Sequence, residues 1–258
     1  MVRRLCYPCA RYVPGGMSST ARAVSADGQV VVGESGSGAG GRAFRWTTTE
    51  GMTSLGVLPG GNSSSAHGIS GDGTTIVGDA AYGGYNQAFR WTAAGGMEHL
   101  GVLPGGRNSL ALAASGDGTA VVGWSADGQQ TAFRWTAASG MQSLGSLGPT
   151  LTSAAYGISS DGNTVVGVSG TDAFLWTSGL GMISLQSRLT ALGADLAGWS
   201  ILREARGISA DGRFVVGYGV HNGATRAFIA DLGVIPGPGA AVAFMAIGLL
   251  GSRRRNAS

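Results

Sequence analysis

GISGDGTTIVG, residues 68–78, returns as AVSADGQVVVG at 23–33, AASGDGTAVVG at 113–123, GISSDGNTVVG at 157–167 and GISADGRFVVG at 207–217. The copies are anchored on Asp27, Asp72, Asp117, Asp161 and Asp211, at steps of 45, 45, 44 and 50 residues. A fixed period of this size marks a repeat architecture. Each copy reads as a β-hairpin, because an Asp-Gly turn between apolar or β-branched runs supplies the positive φ that a tight turn demands. The Gly that closes each copy (Gly33, Gly78, Gly123, Gly167, Gly217) is expected to end the second strand.

Working outward, AFRWT follows at 43–47, 88–92 and 132–136, then AFLWT at 173–177 and AFIAD at 227–231. Strand alternation puts Phe44 and Trp46 on one face, with Ala43, Arg45 and Thr47 on the other. A Gly-Met corner comes next (Gly51-Met52, Gly96-Met97, Gly140-Met141, Gly181-Met182), and Pro-Gly-Gly closes the unit at 59–61 and 104–106. Four short strands per unit match propeller blades rather than helical solenoids. The expected fold class is all-β: a repeat protein, a β-propeller of about five four-stranded blades, with a short C-terminal apolar helix. Trp46, Trp91, Trp135 and Trp176 are expected to be buried where neighbouring blades stack.

The domain division is 1–13, an N-terminal segment; 14–233, five repeats; and 234–258, a tail. Tyr12-Val13-Pro14-Gly15-Gly16 aligns with Val57-Leu58-Pro59-Gly60-Gly61, while the fifth repeat stops after its third strand near Asp231. A strand from residues 9–13 would complete the last blade and close the ring; a truncated leader is the alternative. No apolar stretch in 1–13 reads as a signal peptide. Cys6 and Cys9 form a C-x-x-C with neither a second ligand pair nor a helix start in view. Repeat four carries the extra LQSRLTALGADLAGWSIL, and Leu185, Leu189 and Leu192 at helical spacing predict a short helix over 185–193.

All 17 basic residues are arginines. Six of them (Arg3, Arg4, Arg11, Arg253, Arg254, Arg255) lie in the two tails, which leaves 11 against 14 acids and a body charge of −3. Nucleic-acid binding gains no support from such a body. After Leu232, Pro236-Gly237-Pro238 precedes the apolar run 239–251 and the three arginines. Thirteen helical residues reach only about 20 Å, short of the ~30 Å hydrocarbon core, so a sorting or anchoring tail is expected.

The combination of S-x-D-G-x-x-V-V-G, A-F-R-W-T, G-M and L-G-x-L-P-G-G over about residues 14–233 resembles the bacterial extracellular repeat family named HAF, after its His-Ala-Phe motif. The name-giving histidine is Arg42, Gln87, Thr131, Asp172 and Arg226 here. The tail resembles a PEP-CTERM sorting signal, with Gly237 where glutamate is usual. These resemblances imply export, a sorting protease of exosortase type, membrane contact through the tail, and retention at or release from the cell surface.

The Asp-Gly aspartates are read as caps of their own turns, since calcium loops place several oxygens within a few residues and each turn here carries one acid. No metal, cofactor or catalytic residue is assigned. Candidate ligand residues are those that vary inside a constant frame. Three before the motif's Ser stand Arg22, His67, Leu112, Tyr156 and Arg206. Just after the strand-closing Gly stand Glu34, Asp79, Trp124, Val168 and Tyr218. Radial blades would gather each set into a ring, the way rigid repeats build binding surfaces. The expected function is a non-catalytic binding or structural module at the cell envelope or extracellular matrix, with a polysaccharide or surface protein as partner. A glycan-active enzyme is the alternative; an acid–base pair near the axis would favour it.

Overall fold

The structure, a computed structural model, describes residues 12–13, 16–37, 40–149 and 152–233. Cys6, Cys9 and the whole tail from residue 234, with Pro236, Gly237, Pro238, Arg253, Arg254 and Arg255, lie outside the described residues. The first sheet holds β1 (Gly16–Val24), β2 (Val31–Ser37), β3 (Gly40–Thr47) and β4 (Gly51–Ser54). The second holds β5 (Ser64–Ile69), β6 (Thr75–Tyr82), β7 (Tyr85–Thr92) and β8 (Gly96–Gly101). The third holds β9 (Asn108–Ala114), β10 (Ala120–Asp127), β11 (Gln129–Thr136) and β12 (Gly140–Gly145). The fourth holds β13 (Ser153–Ile158), β14 (Thr164–Ser169), β15 (Asp172–Thr177) and β16 (Gly181–Ser184), and α1 (Leu185–Ala191) follows it. The fifth has three strands: β17 (Trp199–Ile208), β18 (Phe214–His221) and β19 (Ala224–Asp231). Every sheet is an antiparallel meander in chain order. The fold is all-β and propeller-like, with one blade per repeat.

The Asp-Gly stretch builds the turn between a blade's first two strands. Gly28 takes φ 72°, and Asp27 Oδ1 accepts from the Gln29 N–H at 3.0 Å and from Ser25 Oγ at 2.5 Å. Ser25 Oγ in turn accepts the Val30 N–H at 3.0 Å. The same set recurs around Asp72, Asp117, Asp161 and Asp211. The aspartates therefore cap their own turns. The serine hydroxyl, then the backbone N–H, holds the carboxyls of Asp27, Asp161 and Asp211 below the ordinary aspartate value.

Successive turns are bonded to one another. Ala26 N–H donates to Gly71 C=O, Asp72 to Gly116, Gly116 to Ser160 and Ser160 to Ala210, each at 2.9–3.0 Å. The first strands of successive blades also pack side by side from β1 to β17, so the turns gather at one end of the stack.

Four cores lie between blades. Val30, Val32, Ala43, Leu55 and Leu58 of the first blade meet Ala66, Ile76, Ala80 and Phe89 of the second. The later joints repeat this with Phe133, Phe174 and Phe228. Three joints add a buried serine: Ser64, Ser109 and Ser153 accept the N–H of Ala43, Ala88 and Ala132 and donate to the carbonyls of Gly56, Gly101 and Gly145. The helix expected over 185–193 is present as α1, capped by Ser184, and its Leu185 and Leu189 fill the fourth joint.

Three expectations change. Among the four tryptophans Trp135 alone is buried, and Trp46, Trp91 and Trp176 are partly exposed; the fully buried aromatic is the Phe two residues earlier. The copy-closing glycines do not end their strands: Gly33 lies inside β2, and its counterparts lie inside β6, β10, β14 and β18. Of residues 9–13, expected to complete the last blade, only Tyr12 and Val13 are described. Val13 is buried and donates its N–H to Ser35 Oγ of the first sheet, as Leu103 does to Ser125 and Leu147 to Ser169. The Pro-Gly-Gly stretch is thus the connector that leads into a blade's first strand. Residues 9–11 lie outside the described residues, and among the described residues no well-packed pair of strands joins the first and fifth sheets.

Candidate functional site

Each first strand carries a bulge at the same place, between Ala21 and Ala23, Ala66 and Gly68, Ala111 and Ala113, Ala155 and Gly157, and Ala205 and Gly207. The residue left unpaired is Arg22, His67, Leu112, Tyr156 or Arg206, the first candidate set. A bulge bends its strand and re-aims the extra side chain. It also forces a close approach. A Cβ on Gly33, Gly78, Gly123, Gly167 or Gly217 would lie 1.8–2.0 Å from the first strand's carbonyl oxygen. Those glycines are therefore part of how the site is built.

One residue beyond each glycine sits the second candidate set, in direct register with the first strand: Glu34 with Thr20, Asp79 with Ser65, Trp124 with Leu110, Val168 with Ala154 and Tyr218 with Glu204. The two sets meet. Arg22 Nη2 lies 3.5 Å from Glu34 Oε2, and His67 Nε2 lies 2.7 Å from Asp79 Oδ1. Ser65 Oγ reaches across the joint to Glu34 Oε2 at 3.2 Å.

At the other end of the row, the Arg206 guanidinium stacks 4.7 Å from the Tyr156 ring and meets Glu204 Oε2 at 2.5 Å. That ion pair lacks hydrogen-bond alignment, and Tyr218 Oη donates to the other oxygen, Oε1, at 2.7 Å. Burial pushes the Tyr156 hydroxyl pKa up, and the bond to Glu204 does the same for Tyr218.

Two hollows adjoin in the first half of the row. One, of about 270 Å³, is lined by Arg22, Glu34, Ser65, His67, Asp79 and Asn86 among others. The other, of about 320 Å³, shares His67, Asp79 and Asn86 and adds Asn108, Leu110 and Trp124. The first falls just below and the second at the small end of ordinary ligand pockets, about 300–1,000 Å³. A wider hollow of about 620 Å³ beside α1 is lined by Asp172, Gln186, Thr190 and Ser200 and holds no charge cluster. Leu112 and Val168 occupy their frame positions on β9 and β14 without entering either hollow of the row.

Sequence reasoning missed Ser65, Asn86, Asn108 and Glu204. Ser65 and Glu204 stand two residues before His67 and Arg206, so strand alternation was the available signal for them. Asn86 is the second residue of β7 and Asn108 the first of β9, where nothing in the repeat frame marks them.

No family model and no curated protein matches the chain. Among solved structures it is similar to TolB from Acinetobacter baumannii, with a TM-score of 0.55 and 14% identity over 83% of this chain and 52% of that one. It is also similar to a putative TolB from Agrobacterium tumefaciens, with a TM-score of 0.53 and 14% identity over 84% of this chain and 78% of that one. A third similarity is to a chain from a study of two prolyl endopeptidases, with a TM-score of 0.60 and 12% identity over 92% of this chain and 36% of that one. The chain spans about half the length of the A. baumannii TolB. At such identities the likeness is one of fold.

Proposed function

We propose that this chain is an exported, non-catalytic binding module of the cell envelope, and that its row of bulged residues holds a hydroxyl-rich polysaccharide. The observation that carries the reading is the pair of joined hollows from Arg22 to Trp124. Planar carboxylate and amide groups (Asp79, Asn86, Asn108) offer paired acceptors and donors to neighbouring hydroxyls. Trp124 adds an apolar face with a polar edge. The acids are tied to neighbours: Glu34 to Arg22 and Ser65, Asp79 to His67, Glu204 to Arg206 and Tyr218. A body charge of −3 disfavours phosphate-rich ligands.

Titration of the purified chain against a panel of envelope polysaccharides tests this. Trp124→Ala and Asn86→Ala should each weaken binding about tenfold or more, near 1.4 kcal/mol, with an unchanged melting temperature. Equal binding by wild type and both variants, or none by any, would remove the reading. The His67–Asp79 pair favours one second reading, a glycan-active enzyme. That reading requires release of reducing ends by the wild type and its loss in His67→Ala.

The resemblances to the HAF repeats and to a PEP-CTERM signal support residues 234–258 as a sorting and anchoring tail. Removing 234–258 should leave the melting temperature unchanged and move the protein from the envelope fraction to the soluble one. A truncated chain that unfolds, or a full chain found in the cytoplasm, would rule the tail reading out.

A further inference from the structure

We propose that the two end faces of the blade stack are the two halves of one blade-to-blade joint, and that they meet head to tail between copies of this chain. The four internal joints follow one pattern. On the outgoing side, Val32, Val77, Val122 and Val166 of the second strands, and Ala43, Ala88, Ala132 and Ala173 of the third, are at most 1% exposed beneath the next blade. On the incoming side, Ala66, Ala111, Ala155 and Ala205 of the first strands are fully buried.

Both halves recur at the ends without a counterpart among the described residues. On the outgoing face of the fifth blade, Val216 is 43% exposed and Ile229 38%, and Ala227 is exposed as well. On the incoming face of the first blade, Ala21 and Ser19 are exposed, while Phe44, in the place of Phe89, is 2% exposed with no preceding blade among the described residues. Ser19 holds the place of Ser64, Ser109 and Ser153, the hydroxyls that bridge the joints. The ladder of turn bonds is open in the matching sense. It begins at the Ala26 carbonyl and ends at the Ala210 N–H, and among the described residues no bond links them.

The second copy follows from packing. Bringing the faces together within one chain would require re-bending four joints whose side chains are already close-packed, and such interiors resist small displacements. A second copy needs no change in any joint: its Ala21 lands on Val216, its Ser19 on the Ala227 N–H, and its Ala26 carbonyl on the Ala210 N–H. The contact continues an interface the chain already makes four times. It is heterologous, so it builds rings or open chains of copies.

Light scattering on the full chain tests this. The wild type should exceed its 25.8 kDa monomer mass increasingly with concentration. Ala21→Arg and Val216→Arg each spoil one half at an exposed position, so each variant alone should be a monomer with a wild-type melting temperature. Mixed, the two variants retain one good pair of faces and should form a dimer and stop there. The apolar tail is present in both variants, so association through it would persist in each. A wild type that stays monomeric, whether its faces are bare, closed on each other or covered by residues 1–11 or 234–258, overturns the proposal. So does a mixture that remains monomeric, or single variants that still associate.

Discussion

Gly123→Ala is expected to cost about 3 kcal/mol or more and to remove much of the cooperativity of unfolding. The reason is contact and not conformational freedom. A Cβ at this position would sit 1.8 Å from the Leu110 carbonyl oxygen and 3.1 Å from the Ala111 Cα, both backbone atoms held by the β9–β10 register. No side chain can swing aside. Relief requires straightening the bulge at Leu112, which would break the pairing of β9 and shift Ala111, a fully buried member of the joint between blades two and three. Damage at one joint spreads in a repeat protein, because each blade draws its stability from its neighbours. Gly140→Ala is the control. Its φ of 65° strains any L residue, yet nothing lies within 4 Å of the added carbon, so about 1–2 kcal/mol is expected. Denaturant unfolding of the two variants decides it, and a Gly123→Ala curve as good as that of Gly140→Ala would refute the steric account.

The same glycine shows how far the sequence could be read. Its recurrence one place before Glu34, Asp79, Trp124, Val168 and Tyr218 was visible in the repeats. Its cause was not, because a glycine after a valine run normally reads as punctuation. The pinch comes from a bulge in the partner strand, and a bulge leaves no mark in a strand's own alternation. Blade number, strand order and the Asp-Gly turns follow from local chemistry, in which the Ser, Asp and Gly of one short stretch satisfy one another. The variable positions were legible because the frame around them is constant.

Register is a pairwise property. The Thr20–Glu34 and Ser65–Asp79 pairings, and so the parts played by Ser65 and Glu204, became definite only once two strands lay side by side. The place of the Pro-Gly-Gly motif was hidden for a related reason. The shared Pro-Gly-Gly was correctly aligned, but the motif precedes a blade instead of finishing one, as the Val13 bond to Ser35 shows.

Phe89→Ala against Trp91→Ala separates two accounts of the stacked aromatics. Alternation places both side chains on one face of β7, and both belong to the core between blades one and two. From sequence alone Trp91 is expected to be buried where the blades stack. In the structure Phe89 is fully buried, and its ring lies against Gly78, with Cε1 only 2.9 Å from where a Cβ would be. The bulge in β5 draws that strand down over Gly78, so Phe89 is enclosed by its own blade and by the blade before it. Trp91 lies two residues nearer the strand end, packs against the rim of the same cluster and keeps part of its surface in water.

Truncating a buried phenylalanine removes its transfer energy and leaves a cavity that rigid strands cannot fill, about 3–5 kcal/mol in all. Truncating a partly exposed tryptophan loses only the covered area and opens a site to water, about 1–2 kcal/mol. Phe89→Ala should therefore show the much lower denaturation midpoint of the two. The same order is expected for Phe174 and Trp176 two joints further along, where the ring again lies against its glycine, with Phe174 Cε1 2.7 Å from the Cβ position of Gly167. Equal losses at both positions, or a larger one at Trp91, would mean that the blades are held at their rims and that the glycine-centred packing is incidental to stability.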